Sequence, residues 1–101
     1  TTAKEYRNRT NVLHFEQDLE SVQVRMLADA IAQCCSGTAA VFSGADGEGY
    51  AYAMVAHEGD LRTFGQEMTA ALHGRGGGKP ELVQGGCSGK REEIENFFNN
   101  L

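Results

Sequence analysis

Apolar positions recur along this chain at two spacings, alternating with polar and glycine-rich breaks, and the pattern predicts a mixed set of strands and helices. Val12-Leu13-His14-Phe15 is a short β-like run. The stretch from about Leu19 to Cys35 has no Gly or Pro, and it places Val24, Leu27, Ala28, Ile31 and Cys35 at helical spacing. Asp18 is well placed to cap that helix, Ser21 competes with it, and Gly37 marks the end. Ala39 to Phe42 and Tyr50 to Val55 then read as an antiparallel hairpin across Ser43-Gly44-Ala45-Asp46-Gly47-Glu48-Gly49. Asp60 can cap a second helix whose apolar face is Leu61, Phe64, Met68, Ala71 and Leu72, with Gly74 stopping it. Leu82-Val83 supplies a short strand. From Lys90 to Leu101, the stripe Ile94, Phe97, Phe98 and Leu101 predicts a terminal helix, with Glu92 and Glu93 suiting its positive end and Ser88 or Gly89 capping it. The order β-α-β-β-α-β-α implies an α/β (α+β) fold, a mixed sheet of about four to five strands with three helices.

At 101 residues the chain fits one domain with one modest core. Thr1 to Thr10 is polar without period and reads as a linker remnant, leaving 11–101 as the domain. No apolar run approaches the roughly 20 residues of a membrane span, and the N-terminus lacks the basic-then-apolar pattern of a secretory signal. A soluble cytoplasmic protein without membrane contact is the expectation. Cys34, Cys35 and Cys87 match neither a disulfide framework nor a metal knuckle, which fits a reducing compartment. One of the adjacent pair is expected to face a helix core, and Cys87 to be a small residue in a turn.

Net charge is −5, which argues against attraction of nucleic acid to the whole surface, but the distribution is uneven. Glu16, Asp18, Glu20, Asp29, Asp46, Glu48, Glu58 and Asp60 face only Arg25 between positions 16 and 60, a balance of −7. Between His73 and Arg91, four bases (Arg75, Lys79, Lys90, Arg91) face Glu81, a balance of +3. A local phosphate site on an acidic domain has this signature.

The cations of that second segment sit among bare backbone. Gly74-Arg75-Gly76-Gly77-Gly78-Lys79-Pro80 is followed by Gln84-Gly85-Gly86. Read as a loop between elements, Gly76 to Gly78 would let successive N–H groups converge on an anion, with Arg75 binding phosphate bidentately and Lys79 adding a movable charge. Pro80 biases Lys79 toward extended geometry. Gln84 can read a base edge or a sugar hydroxyl, or hydrogen-bond the backbone. The plain alternative is a surface connection without function. Arg62 either forms a local ion pair or joins the same anion surface, and Lys90 and Arg91 would extend it. Few aromatics lie near, so recognition is expected to rest on shape and backbone rather than on stacking.

Catalytic signatures are absent from the pattern. His14, His57 and His73 are dispersed, with no H-x-x-x-H pair and no cysteine at ligand spacing, so no catalytic residue, metal ligand or cofactor is assigned. Ser43, Ser88 and Cys87 lie in no nucleophile elbow.

With those residues in view, the chain resembles the DHH-associated domain, the module that closes alanyl-tRNA synthetases, stand-alone alanyl-tRNA editing proteins and DHH-type phosphoesterases. Gly74 through Gly86 carries the signature, and the resemblance spans about residues 11 to 101. The phosphoesterase branch typically has histidine after the glycine triplet, whereas this chain has Lys79, then Pro80 and Gln84-Gly85-Gly86, as in the synthetase and editing branch. Phe42-Ser43-Gly44, Ala51-Tyr52 and Asp60-Leu61-Arg62 look most like the long editing proteins. Cys87 interrupts what is often a longer glycine run.

The resemblance implies a nucleic-acid (tRNA) binding accessory domain of an alanyl-tRNA editing hydrolase. Its binding residues would be Arg75, Gly76, Gly77, Gly78, Lys79, Gln84, Gly85 and Gly86, and a covalently linked zinc-dependent editing domain would perform the hydrolysis. No deacylase activity is expected of this chain alone. Two alternatives remain: the substrate-binding half of a phosphoesterase acting on small or cyclic oligonucleotides, and a homodimerisation module using the Ile94, Phe97, Phe98 and Leu101 stripe or a sheet edge.

Overall fold

Eight elements carry the residues that the computed structural model describes, which are 11–34, 37–56 and 61–99. They are β1 (Val12–Glu16), α1 (Ser21–Cys34), β2 (Thr38–Ala45), β3 (Gly49–Ala56), α2 (Leu61–Leu72), β4 (Arg75–Lys79), β5 (Leu82–Cys87) and α3 (Arg91–Asn99). The expected order is present with one strand added, β4. All five strands form a single sheet in the order β1-β2-β3-β5-β4, parallel between β1 and β2 and antiparallel elsewhere.

Helices cover both faces. Val24, Ala28, Ile31 and Ala32 of α1 pack on one face against Val12, Ala39, Val41 and Ala53. On the other, Leu61, Met68 and Leu72 of α2 and Ile94 of α3 pack against Ala40, Phe42, Tyr52 and Met54. Ala39 to Phe42 are therefore buried consecutively, which is why this central strand reads as a continuous apolar run rather than an alternation. The α3 stripe is used inside the fold: Phe97 and Phe98 each make edge contacts with Phe64, at 5.4 and 5.5 Å between centroids, and Phe98 meets Phe42 at 5.9 Å. Leu101, Cys35, His57 and Asp60 lie outside the described residues. No described helix is long and apolar enough to cross a membrane.

The helix ends differ from the sequence expectation in an instructive way. Neither Asp18 nor Ser21 caps α1; Asp18 has φ 59° and Ser21 is already helical. Glu20 holds the cap position, its carbonyl accepting from the Val24 N–H at 2.9 Å while its own N–H donates to Gln23 Oε1 at 2.9 Å. Lys90 does the same for α3 with Ile94 and Glu93, in place of Ser88 or Gly89. Both are the reciprocal half of a capping box, in which the side chain three residues inside the helix supplies the missing acceptor. At the end of α2, His73 takes the left-handed conformation with φ 55°, and the Gly74 N–H donates to the Thr69 carbonyl at 2.9 Å, a Schellman closure. Gly74 is required for a different reason: a Cβ there would lie 2.6 Å from the Gly86 carbonyl oxygen. The buried face of α2 is Leu61, Gly65, Met68 and Leu72, with Ala71 exposed.

Candidate functional site

The glycine run is a strand. Arg75 to Lys79 forms the sheet's outer edge and pairs antiparallel with β5 in the register Arg75–Gly86, Gly76–Gly85, Gly77–Gln84, Gly78–Val83 and Lys79–Leu82. The two glycine clusters, expected as a loop and a turn, thus face each other as neighbouring strands. Only Pro80 and Glu81 turn the chain, and they are anchored by the Leu61 N–H donating to the Pro80 carbonyl at 2.9 Å and the Ala56 N–H to the Glu81 carbonyl at 3.0 Å.

Close approach explains the composition. A Cβ on Gly85 would collide with the Arg75 carbonyl oxygen, and one on Gly76 would collide with the Tyr52 hydroxyl and lie 2.8 Å from the Gln84 carbonyl oxygen. Glycine is intrinsically poor in strands, so pairing with β5 and the cover of the Tyr52 ring override local propensity. The chemical consequence is a correction. Successive N–H groups of an extended strand point to opposite sides, so Gly76 to Gly78 do not form the converging anion cradle expected of a loop.

Strand geometry instead organises the side chains. Gly76 faces Tyr52, which belongs to the α2-side core, so alternation directs Arg75, Gly77 and Lys79 to the α1 side. Arg75 and Lys79 are both exposed and stand about 13 Å apart along the strand, with Gly77 between them. A Cβ on Gly77 would meet nothing within 4 Å, so the surface there is open. Gln84, opposite Gly77, is exposed on the same side. Gly78 lies against Leu82 and Val83, and Gly86 against Tyr50.

Arg62 lines a small groove of about 200 Å³ with Gln66 and the glycine triplet. Lys90 and Arg91 do not extend this surface. Arg91 stacks over the Phe15 ring at 4.2 Å, and Phe15 is on β1, the opposite edge of the sheet. Its backbone N–H donates to Asp46 Oδ1 at 2.8 Å, and the Tyr50 hydroxyl donates to the same oxygen at 3.0 Å. Those two donors hold the Asp46 carboxyl below the usual carboxylate range.

Sequence reasoning missed the other wall of the α1 side. One helix covers the middle of that face and leaves β5 and β4 uncovered. Val22 and Met26, one turn apart, are 69% and 64% exposed. With Arg25 and Asp29 they flank a trough of about 520 Å³ whose far side is Gln84 and Gly85. The available signal was an i, i+4 apolar pair lying off the core stripe of α1.

The conceivable nucleophiles have structural roles. Ser43 Oγ accepts from the Leu19 N–H at 3.0 Å and donates to the Leu19 carbonyl at 3.4 Å, and Ser88 Oγ donates to the His73 carbonyl at 3.2 Å. Cys87 is buried at the end of β5 opposite Tyr50 rather than in a turn, and burial pushes its thiol pKa up. Cys34, the last residue of α1, is half-buried. His14 Nε2 lies 3.2 Å from Glu16 Oε2. Among the described residues, no group of three or more His, Cys, Asp or Glu side chains is placed to hold a metal ion.

No protein-family model matches the chain, and no curated protein matches it. Among solved structures, the C-Ala domain of Aquifex aeolicus alanyl-tRNA synthetase superposes with a TM-score of 0.75, covering 93% of this chain and 88% of that domain at 19% identity. The likeness is one of fold: the chain shares the architecture of that C-Ala domain.

Proposed function

We propose that this domain is a tRNA-binding accessory module of the DHH-associated type, belonging to an alanyl-tRNA editing hydrolase or synthetase. The observation that carries the reading is the pair Arg75 and Lys79, both exposed on one face of an uncovered edge strand in an otherwise acidic chain. Their spacing fits alternate phosphates of one backbone. Gly77 leaves room for the sugar-phosphate chain to lie against the strand, and Gln84 stands beside it. The shared fold with the C-Ala domain supports the same reading. Hydrolysis belongs to a separate editing domain, and tethering to that domain raises the effective concentration of a weak module.

A small-nucleotide reading has one observation in its favour, the groove bordered by Arg62 and the glycine triplet. Its volume of about 200 Å³ is below the roughly 300 Å³ at which small-molecule sites begin. Lys79 in place of the phosphoesterase branch's histidine also counts against it.

Fluorescence anisotropy with labelled tRNA across a salt series tests the proposal. Two phosphate contacts predict a slope of log affinity against log salt of about −1.4 to −1.8. Binding that ignores salt would contradict it.

A further inference from the structure

The trough beside α1 lies on the same side of the sheet as Arg75 and Lys79, one strand inward from them. Neighbouring strands are about 4.8 Å apart, so a sugar-phosphate chain running along β4 would carry its bases inward over β5. The open surface at Gly77 is the passage, and Gln84 is the first side chain met. Beyond it the trough ends on the exposed apolar pair Val22 and Met26, with the half-buried Asp29 carboxylate beside them.

We propose that this trough receives one unpaired nucleotide of a bound RNA, its phosphates between Arg75 and Lys79 and its base between Gln84 and Met26. This deepens the tRNA-binding reading and rests on it. Charge complementarity selects the occupant: Arg25 lines the trough, and Arg75 and Lys79 stand on β4, the strand next to Gln84, so three cations surround the single Asp29 carboxylate, which favours a polyanion over an acidic protein copy of this chain. Its volume of about 520 Å³ falls in the range of small-molecule sites, large enough for a nucleotide and too narrow for a duplex to enter. The chemistry fits a splayed base as well. Val22 and Met26 supply an apolar platform in place of an aromatic one, Gln84 offers a donor and an acceptor, and Asp29 offers acceptors to exocyclic or ring N–H groups. Paired bases would have those groups occupied by their partners. Phosphate contacts at β4 position the chain, and the trough discriminates unpaired from paired RNA.

The test compares a short single-stranded RNA with a blunt duplex of the same sequence by anisotropy, using the native domain, a Val22→Ser and Met26→Ser double variant, and an Arg75→Ala and Lys79→Ala double variant. Both serine substitutions are at exposed positions, and matching thermal unfolding to the native domain confirms that the fold is kept. The expected result is single strand bound about tenfold tighter than duplex by the native domain, with that preference erased by the serine variant. The alanine variant binds both ligands more weakly than the native domain. Retention of the preference by the serine variant, or equal native affinity for the two RNAs, overturns the trough while leaving the phosphate contacts in place if the alanine variant still binds more weakly. Absence of RNA binding by the native domain overturns both.

Discussion

The hydroxyl of Tyr52 on β3 occupies the space that a methyl group on Gly76 of β4 would need, two strands away across Gly85. This relationship explains why position 76 of the β4 edge is glycine. The ring lies over the bare backbone of two strands, closing the α2-side core while leaving the opposite side of β4 open.

Glycine positions in β4 and β5 should therefore differ sharply in tolerance. Gly76→Ala and Gly85→Ala force Tyr52 or the β4 backbone to move and are expected to cost about 1–3 kcal/mol. Gly77→Ala meets open space and should stay within about 0.5 kcal/mol of the native domain. Urea unfolding of the three variants checks the contrast, and equal losses would contradict this packing.

Tyr52 itself is 2% exposed, and its hydroxyl has no hydrogen-bond partner among the described residues. Burial raises its pKa, and Thr69 lies near enough to oppose that rise without meeting hydrogen-bond geometry. Tyr52→Phe removes a desolvated polar group, so the variant is expected to be as stable as the native domain or up to about 1 kcal/mol more stable. A clear loss in the denaturation midpoint would show that the hydroxyl is satisfied.

His73 adopts a left-handed conformation that costs a non-glycine residue about 1–2 kcal/mol. Because its side chain is exposed, His73→Gly should raise stability by roughly 1 kcal/mol, less whatever glycine adds to the entropy of the unfolded chain. Differential scanning calorimetry reads this directly, and a lower Tm would place an unrecognised contact at the imidazole.

Asp46 ties the β2–β3 turn to the start of α3, and its depressed pKa sets a pH dependence. A carboxyl whose folded pKa lies below its unfolded value contributes stability that is complete above the ordinary carboxylate range near 3.8 and disappears as pH falls through the lower, folded value. Native and Asp46→Asn domains should therefore differ in Tm at pH 7 and converge as the pH is lowered through and below that range. A difference that persists unchanged in acid would remove the charge from the explanation.

The helices were legible in the sequence because their apolar spacing coincides with the packed faces, as Val24, Ala28 and Ile31 show on α1. The hairpin of β2 and β3 was legible for the same reason. The β4 strand was not, because Arg-Gly-Gly-Gly-Lys has no hydrophobic period; its extended state comes from pairing with β5 and from Tyr52, both remote in sequence. The caps were obscured because Glu20 and Lys90 are not cap-forming residue types, the acceptors being Gln23 and Glu93. At the candidate site, charge asymmetry pointed to Arg75 and Lys79, whereas Val22, Met26 and Arg25 come beside Gln84 and Gly85, one strand inward, only through the crossing of α1 over the sheet. Lys90 and Arg91, near them in sequence, are carried away because α3 begins near β1.

The central claim is that Arg75 and Lys79 hold an RNA backbone against the β4 edge. Anisotropy titration of tRNA with the native domain and the Arg75→Ala, Lys79→Ala double variant, each across a salt series, tests it most directly. The account predicts that the variant binds more weakly and that its salt slope is shallower by about 1.4 to 1.8. Equal affinity and equal slopes for the two proteins would contradict it.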